Sequence, residues 1–221
     1  MLWVGQFGIV DGEAKEETPW VGAFQEQTRN EESSDLYLIV EPALPGSDEF
    51  CQELKEAIGN AFHRSKASLT GGLLRALKGA HENLRDWNRR SLKEHRVAAG
   101  VTCLAVRGHE AYLAQVAPAA AVLFRQGSLL PLQPTLPDAL QPLGLHDEFW
   151  PDFRRIEFVE GDRLLIMSTA LSRALEPRHL AAALELPGER SLPAVYRLAR
   201  SLPNCGAVLL AEMSGGKEPG R

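Results

Sequence analysis

The chain has 221 residues and a mass of 24.3 kDa, with 44% hydrophobic and 24% charged residues, the balance of an ordinary globular protein. A net charge of -5 and a pI near 5.7 argue against a globally basic nucleic-acid binder, and no run approaches the roughly 18 apolar residues of a membrane-spanning helix. Three scattered cysteines, Cys51, Cys103 and Cys205, argue against a disulfide framework and for a reducing, cytoplasmic compartment.

The N-terminus, Met1 to Phe7, has neither the basic start nor the long apolar core of a signal peptide. Leu2 to Val10 reads as a strand. Trp20 to Gln27 reads as a weaker one, and Asp11-Gly12 lies between them on a connection too long for a tight hairpin. Leu36 to Val40 is a continuous apolar run, the pattern of a strand buried on both faces. Pro42 and Pro45-Gly46 end it.

Two helices are predicted next. The first begins at Ser47-Asp48 and carries Phe50, Leu54, Ile58 and Phe62 at helical spacing. The second begins near Leu69 and sets Leu73, Leu77, Ala80, Leu84 and Trp87 on one stripe, with charged residues opposite. Arg85, Arg89, Arg90, Lys93, His95 and Arg96 form a basic stretch, which reads first as a solvated face.

After Gly100 the segments Val101 to Arg107, Ala111 to Val116 and Ala121 to Arg125 predict an antiparallel meander turning at Gly108-His109 and Gln126-Gly127. Residues 127–152 show no period and read as a long loop. Ile156 to Val159 and Arg163 to Met167 are two strands joined by Glu160-Gly161-Asp162. Helices over Pro177 to Leu186 and Leu192 to Leu202 follow, then a strand from Ala207 to Met213. We expect one domain over residues 1–213 and a disordered tail over 214–221. Segregated strands and helices predict an α+β fold.

Several familiar chemistries are absent. Gly215-Gly216-Lys217 lacks the first glycine of a phosphate loop, and no Gly-x-Ser-x-Gly elbow occurs. The six histidines never pair at metal-ligand spacing, and there is no Cys-x-x-Cys.

Short strings appear instead in a telling order. Thr28-Arg29-Asn30-Glu31-Glu32 precedes the apolar strand that ends at Glu41-Pro42. Gly100-Val101-Thr102 opens the meander, and Tyr112 to Val116 leads into Ala117-Pro118-Ala119. Gly161-Asp162-Arg163-Leu164-Leu165-Ile166-Met167-Ser168-Thr169-Ala170 follows, and Asn204-Cys205 opens the last strand. In this order the chain resembles the metal-dependent protein phosphatases (PPM type, protein phosphatase 2C-like), over about residues 3 to 213. Each string alone has a plainer reading, as a strand start, a turn or a core segment.

The resemblance implies two antiparallel β-sheets stacked face to face, with helices on both outer faces, a four-layer αββα arrangement. It also implies hydrolysis of phosphoserine and phosphothreonine by water activated on a pair of Mg²⁺ or Mn²⁺ ions. The chain departs from the family at the ligand positions. Where the family has aspartates, this chain has Glu32, Glu41 followed by Pro42, Pro118, Thr169 and Asn204. Only Glu32 and Glu41 keep a carboxylate, one methylene longer than aspartate, and they are the remaining metal candidates.

A pair of ions carrying four positive charges needs more carboxylate than that. The expectation is therefore a degenerate site with no catalytic residue and no cofactor: a pseudophosphatase that binds a protein partner or regulates signalling. One alternative is an active phosphatase with a remodelled metal site using Glu32, Glu41, Asp35 and Asp48. Another is a structural scaffold subunit. No membrane or nucleic-acid partner is expected.

Overall fold

The computed structural model describes residues 2–25, 33–65 and 67–212. Its elements, in chain order, begin with strands β1 (Leu2–Val10), β2 (Glu13–Lys15), β3 (Val21–Phe24) and β4 (Asp35–Pro42). Helices α1 (Asp48–His63) and α2 (Leu69–Arg90) come next. They are followed by β5 (Ala99–Arg107), β6 (Glu110–Val116), β7 (Ala120–Arg125), β8 (Ser128–Leu132), β9 (Asp152–Glu157) and β10 (Arg163–Met167). Helices α3 (Thr169–Ala174), α4 (Pro177–Glu185) and α5 (Gly188–Ala199) lead to the last strand, β11 (Cys205–Glu212).

The strands form two antiparallel sheets. One has six strands in the order β2-β1-β11-β10-β7-β8, the other five in the order β3-β4-β5-β6-β9. Alternation along each strand sets the layers. On β4, Tyr37 and Ile39 point between the sheets, while Leu36, Leu38 and Val40 point outward to α1 and α2. On β10, Leu164 and Ile166 point between the sheets, while Leu165 and Met167 point outward to the second helical layer. Strands buried on both faces give continuous apolar runs, which is why the 36–40 segment is so legible. Two stacked sheets with helices outside each are the predicted four-layer arrangement.

The connections differ from the sequence reading in several places. Asp11-Gly12 is a tight turn, with φ of 53° and 81°, that joins β1 to the short β2 rather than to the strand near Trp20. Two consecutive positive φ values are what a two-residue hairpin requires. The exposed Glu13–Lys15 carries no apolar signal, so its strand is invisible to pattern. The weaker strand spans only Val21–Phe24 among the described residues.

The meander is split between sheets. Strands β5 and β6 form a hairpin, but the chain then crosses at Ala117–Ala119 and β7 pairs with β10 and β8 in the other sheet. Residues 127–152 are not one loop. Gln126-Gly127 turns the chain into β8, whose exposed, proline-bearing pattern conceals it, and a turn of 3₁₀ helix spans Asp138–Leu140. Strand β9 begins at Asp152 and lies in the opposite sheet from β10, so Glu160-Gly161-Asp162 bridges sheets. Helix α3 is an addition, too short to show a period. Helix α5 begins at Gly188, ahead of the expected Leu192, with Pro193 inside it. The tail expected over 214–221 lies outside the described residues.

Candidate functional site

The site is built where both sheets end on the same side. Inner-face alternation on β4 carries from Tyr37 and Ile39 to Glu41 at the strand's end. Glu41 sits in register with Gly100 of β5. A side chain at position 100 would collide with the backbone of Pro118, which lies directly against that glycine. The Gly100-Val101-Thr102 string is thus explained by close backbone approach. From the other sheet, β10 ends at Met167 and the chain turns through Ser168 into α3. Ser168 donates its N–H to the Gly206 carbonyl at 2.9 Å, and its Oγ accepts the Gly206 N–H at 3.3 Å.

Thr169 then meets Glu41 across the gap between sheets. Its N–H donates to Glu41 Oε1 at 2.7 Å and its hydroxyl donates to the same oxygen at 2.9 Å. Beside this pair opens a cleft of about 620 Å³ lined by Pro42, Pro118, Gln133, Thr169, Ser172 and Arg173, among others. Among the described residues Arg173 is the one charged residue of that lining, and no carboxylate belongs to it.

The structure therefore brings together four of the six positions singled out from sequence: Glu41, Pro42, Pro118 and Thr169. Asn204 does not line the cleft. Its Oδ1 accepts the Asp11 N–H at 3.0 Å, fastening the β1–β2 turn. Glu32 lies outside the described residues. Asp35 stands at the opposite end of β4 from Glu41, six residues and about 20 Å away at the usual strand rise. Asp48 is exposed on the first turn of α1.

Glu41 is 8% exposed, and burial pushes its carboxyl up to about 7, against the opposing effects of the Thr169 hydrogen bonds and the Arg173 charge. Its Oε2 has no hydrogen-bond partner among the described residues, nor have Thr102 Oγ1 and Gln115 Nε2. These lie on the same inner face. Thr102 pairs with Gln115 in register, and Gln115 with Asp152, whose Oδ2 accepts the N–H and hydroxyl of Thr135 at 2.6 and 3.0 Å. Thr102, Gln115 and Arg173 were missed as site residues. The available signal was a polar residue at an inward position of otherwise apolar strands, Thr102 on β5 and Gln115 on β6.

A pair of divalent cations needs several oxygen ligands, mostly carboxylate. Among the described residues one carboxylate reaches the corner, that of Glu41. One of its oxygens is taken by two donors, the N–H and the hydroxyl of Thr169. Pro118 and Pro42 bring no side-chain oxygen. Among the described residues no cluster of three or more His, Cys, Asp or Glu is placed to hold an ion. The donor set of the described residues does not fit a dinuclear centre.

The Gly161-Asp162 string has a structural role. Buried Asp162 makes a bidentate pair with Arg125, at 2.9 and 2.5 Å, and accepts the Val159 N–H at 2.9 Å. In the basic stretch, Arg85 and Arg89 pair with Asp147, and Trp87 packs edge-on against Phe50.

Many solved structures share this arrangement. The Streptococcus agalactiae serine/threonine phosphatase superposes with a TM-score of 0.77 at 14% identity, covering 96% of this chain and 100% of that one. The PPM Ser-Thr phosphatase MsPP of Mycobacterium smegmatis gives 0.68 at 15% identity, covering 97% and 98%. The chain has the PPM phosphatase fold. The catalytic domain of the phosphatase PstP, solved in complex with two manganese ions, also gives 0.68, at 14% identity, covering 95% and 97%. No protein-family profile matches the sequence, and no curated protein matches it. At these identities the likeness establishes the fold alone. No helix among the described residues is long and apolar enough to cross a membrane.

Proposed function

We propose that this chain is a catalytically degenerate member of the PPM phosphatase fold, a pseudophosphatase that acts as a protein-binding or regulatory module in signalling. One observation carries the reading. The cleft of the fold is open, about 620 Å³, yet among the described residues Arg173 is the one charged residue of its lining and three positions expected to face metal are Pro42, Pro118 and Thr169. In-line attack on phosphorus by a metal-activated water needs bridging carboxylates to hold both ions. A cleft lined by proline, alanine and hydroxyl side chains offers binding surface without that chemistry. The partner is expected to be a protein, and the cytoplasm the compartment.

The rival reading, an active phosphatase with a remodelled metal site, has one atom in its favour: the unpartnered, buried Glu41 Oε2. A phosphatase assay decides between them. We expect no hydrolysis of p-nitrophenyl phosphate or phosphopeptides above background in millimolar Mn²⁺ or Mg²⁺. Turnover that rises with metal and disappears in Glu41→Ala supports the enzyme instead.

A further inference from the structure

We infer that Glu41 and Thr169 form a metal-free clasp that holds the two sheets together at the cleft, in the corner where the sequence resemblance puts metal ligands. The inference rests on the proposed loss of the metal centre and gives that corner a positive role. Three observations carry it. Residues 128 positions apart, one ending β4 of the five-stranded sheet and one following β10 of the six-stranded sheet, are joined by two hydrogen bonds to a single oxygen. Both anchors are fixed on their own sides, Ser168 by its reciprocal bonds with Gly206, and the end of β4 by the Ala43 N–H donating to the Ala98 carbonyl at 2.8 Å. The bonds are shielded, since Glu41 is 8% exposed.

Side-chain length explains why glutamate stands here. Stacked sheets lie about 10 Å apart, and a side chain must cross part of that gap to reach a backbone N–H on the far side. Aspartate, the metal-binding choice, falls one methylene short. The clasp therefore makes an unusual demand. Glu41→Asp, which restores the phosphatase residue, breaks it, whereas Glu41→Gln, which removes the charge but keeps the reach and an accepting oxygen, preserves it.

Amide hydrogen exchange at Thr169, measured with and without chelator, tests this directly. In the wild type the amide is protected in chelator and gains nothing from Mn²⁺. In Glu41→Asp its protection falls about tenfold, the effect of losing a hydrogen bond of ordinary strength, while protection of β4 and β11 persists. Glu41→Gln keeps the wild-type value. Equal protection in Glu41→Asp and wild type overturns the clasp, as does loss of wild-type protection on adding chelator. Calorimetry with Mn²⁺ on the same wild-type sample keeps the two ideas apart. Metal binding there sinks the proposed function, whereas silent calorimetry with unchanged exchange in Glu41→Asp sinks the clasp alone.

Discussion

Burial of Glu41 behind Thr169 raises the cost of its charged form, and the sign of the consequence is fixed. Its folded-state pKa of about 7 lies above the ordinary 4.5, so the folded state binds the proton more tightly than the unfolded chain. The stabilisation is complete below pH 4.5 and is lost as pH rises through 7. At about 1.4 kcal/mol per pKa unit, the loss is on the order of 3–4 kcal/mol by pH 8. Arg173 on α3 opposes the shift, and on α1 the Cys51 thiol feels the charges of both Glu41 and Asp48. The Cys51 thiol, pushed up to about 12, does not titrate in that window. Urea denaturation of wild type and Glu41→Gln from pH 5 to 8 checks the assignment. The variant is expected to show a flatter profile and to exceed the wild type at pH 8. Parallel profiles would mean that Glu41 ionises normally.

At the scale of the element, two contacts explain strings that look functional in the sequence. Gly100 lets the β6–β7 crossover lie against β5, so Gly100→Ala forces backbone apart. We expect a loss of about 2–4 kcal/mol, at or above the usual range for overpacking, read as a lower urea midpoint. An unchanged midpoint would show that the crossover is slack. Asp162 joins β7 to the β9–β10 connection through Arg125 and the Val159 N–H. Because Arg125 is partly exposed, Asp162→Ala is expected to cost about 1–3 kcal/mol, less than breaking a fully buried pair. Thermal unfolding of the variant measures it.

The same contacts show what was legible from residues alone. Strands buried on both faces, such as β4, and helices with a long apolar stripe, such as α2, carry their own periodicity and were read with good boundaries. β2, β8 and α3 were hidden because they are short, exposed or both, and sheet membership was hidden because a strand's pattern does not name its neighbours. At the cleft, Glu41, Pro42, Pro118 and Thr169 are singled out by the order of the strings, and the structure places them close together. Thr102, Gln115 and Arg173 were not, because their importance comes from register and from the helix that no pattern revealed.

For the whole molecule, the fold is that of the metal-dependent phosphatases, and the proposed function rests on the carboxylates missing from the described lining of its cleft. Conserving a fold of this size asks only that its layers continue to pack, and apolar side chains fill the inner and outer faces of both sheets. Catalysis asks for a specific set of ligands at one corner, so a few substitutions suffice to remove it from a fold. Folding and cleft shape are then expected to be indifferent to divalent cations. The measurement that bears on this most directly is a calorimetric titration of the full chain with Mn²⁺ at pH 7.5. We predict no heat of binding up to millimolar metal. Saturable binding in the micromolar range, abolished by Glu41→Ala, would contradict the account and return the cleft to the working phosphatases.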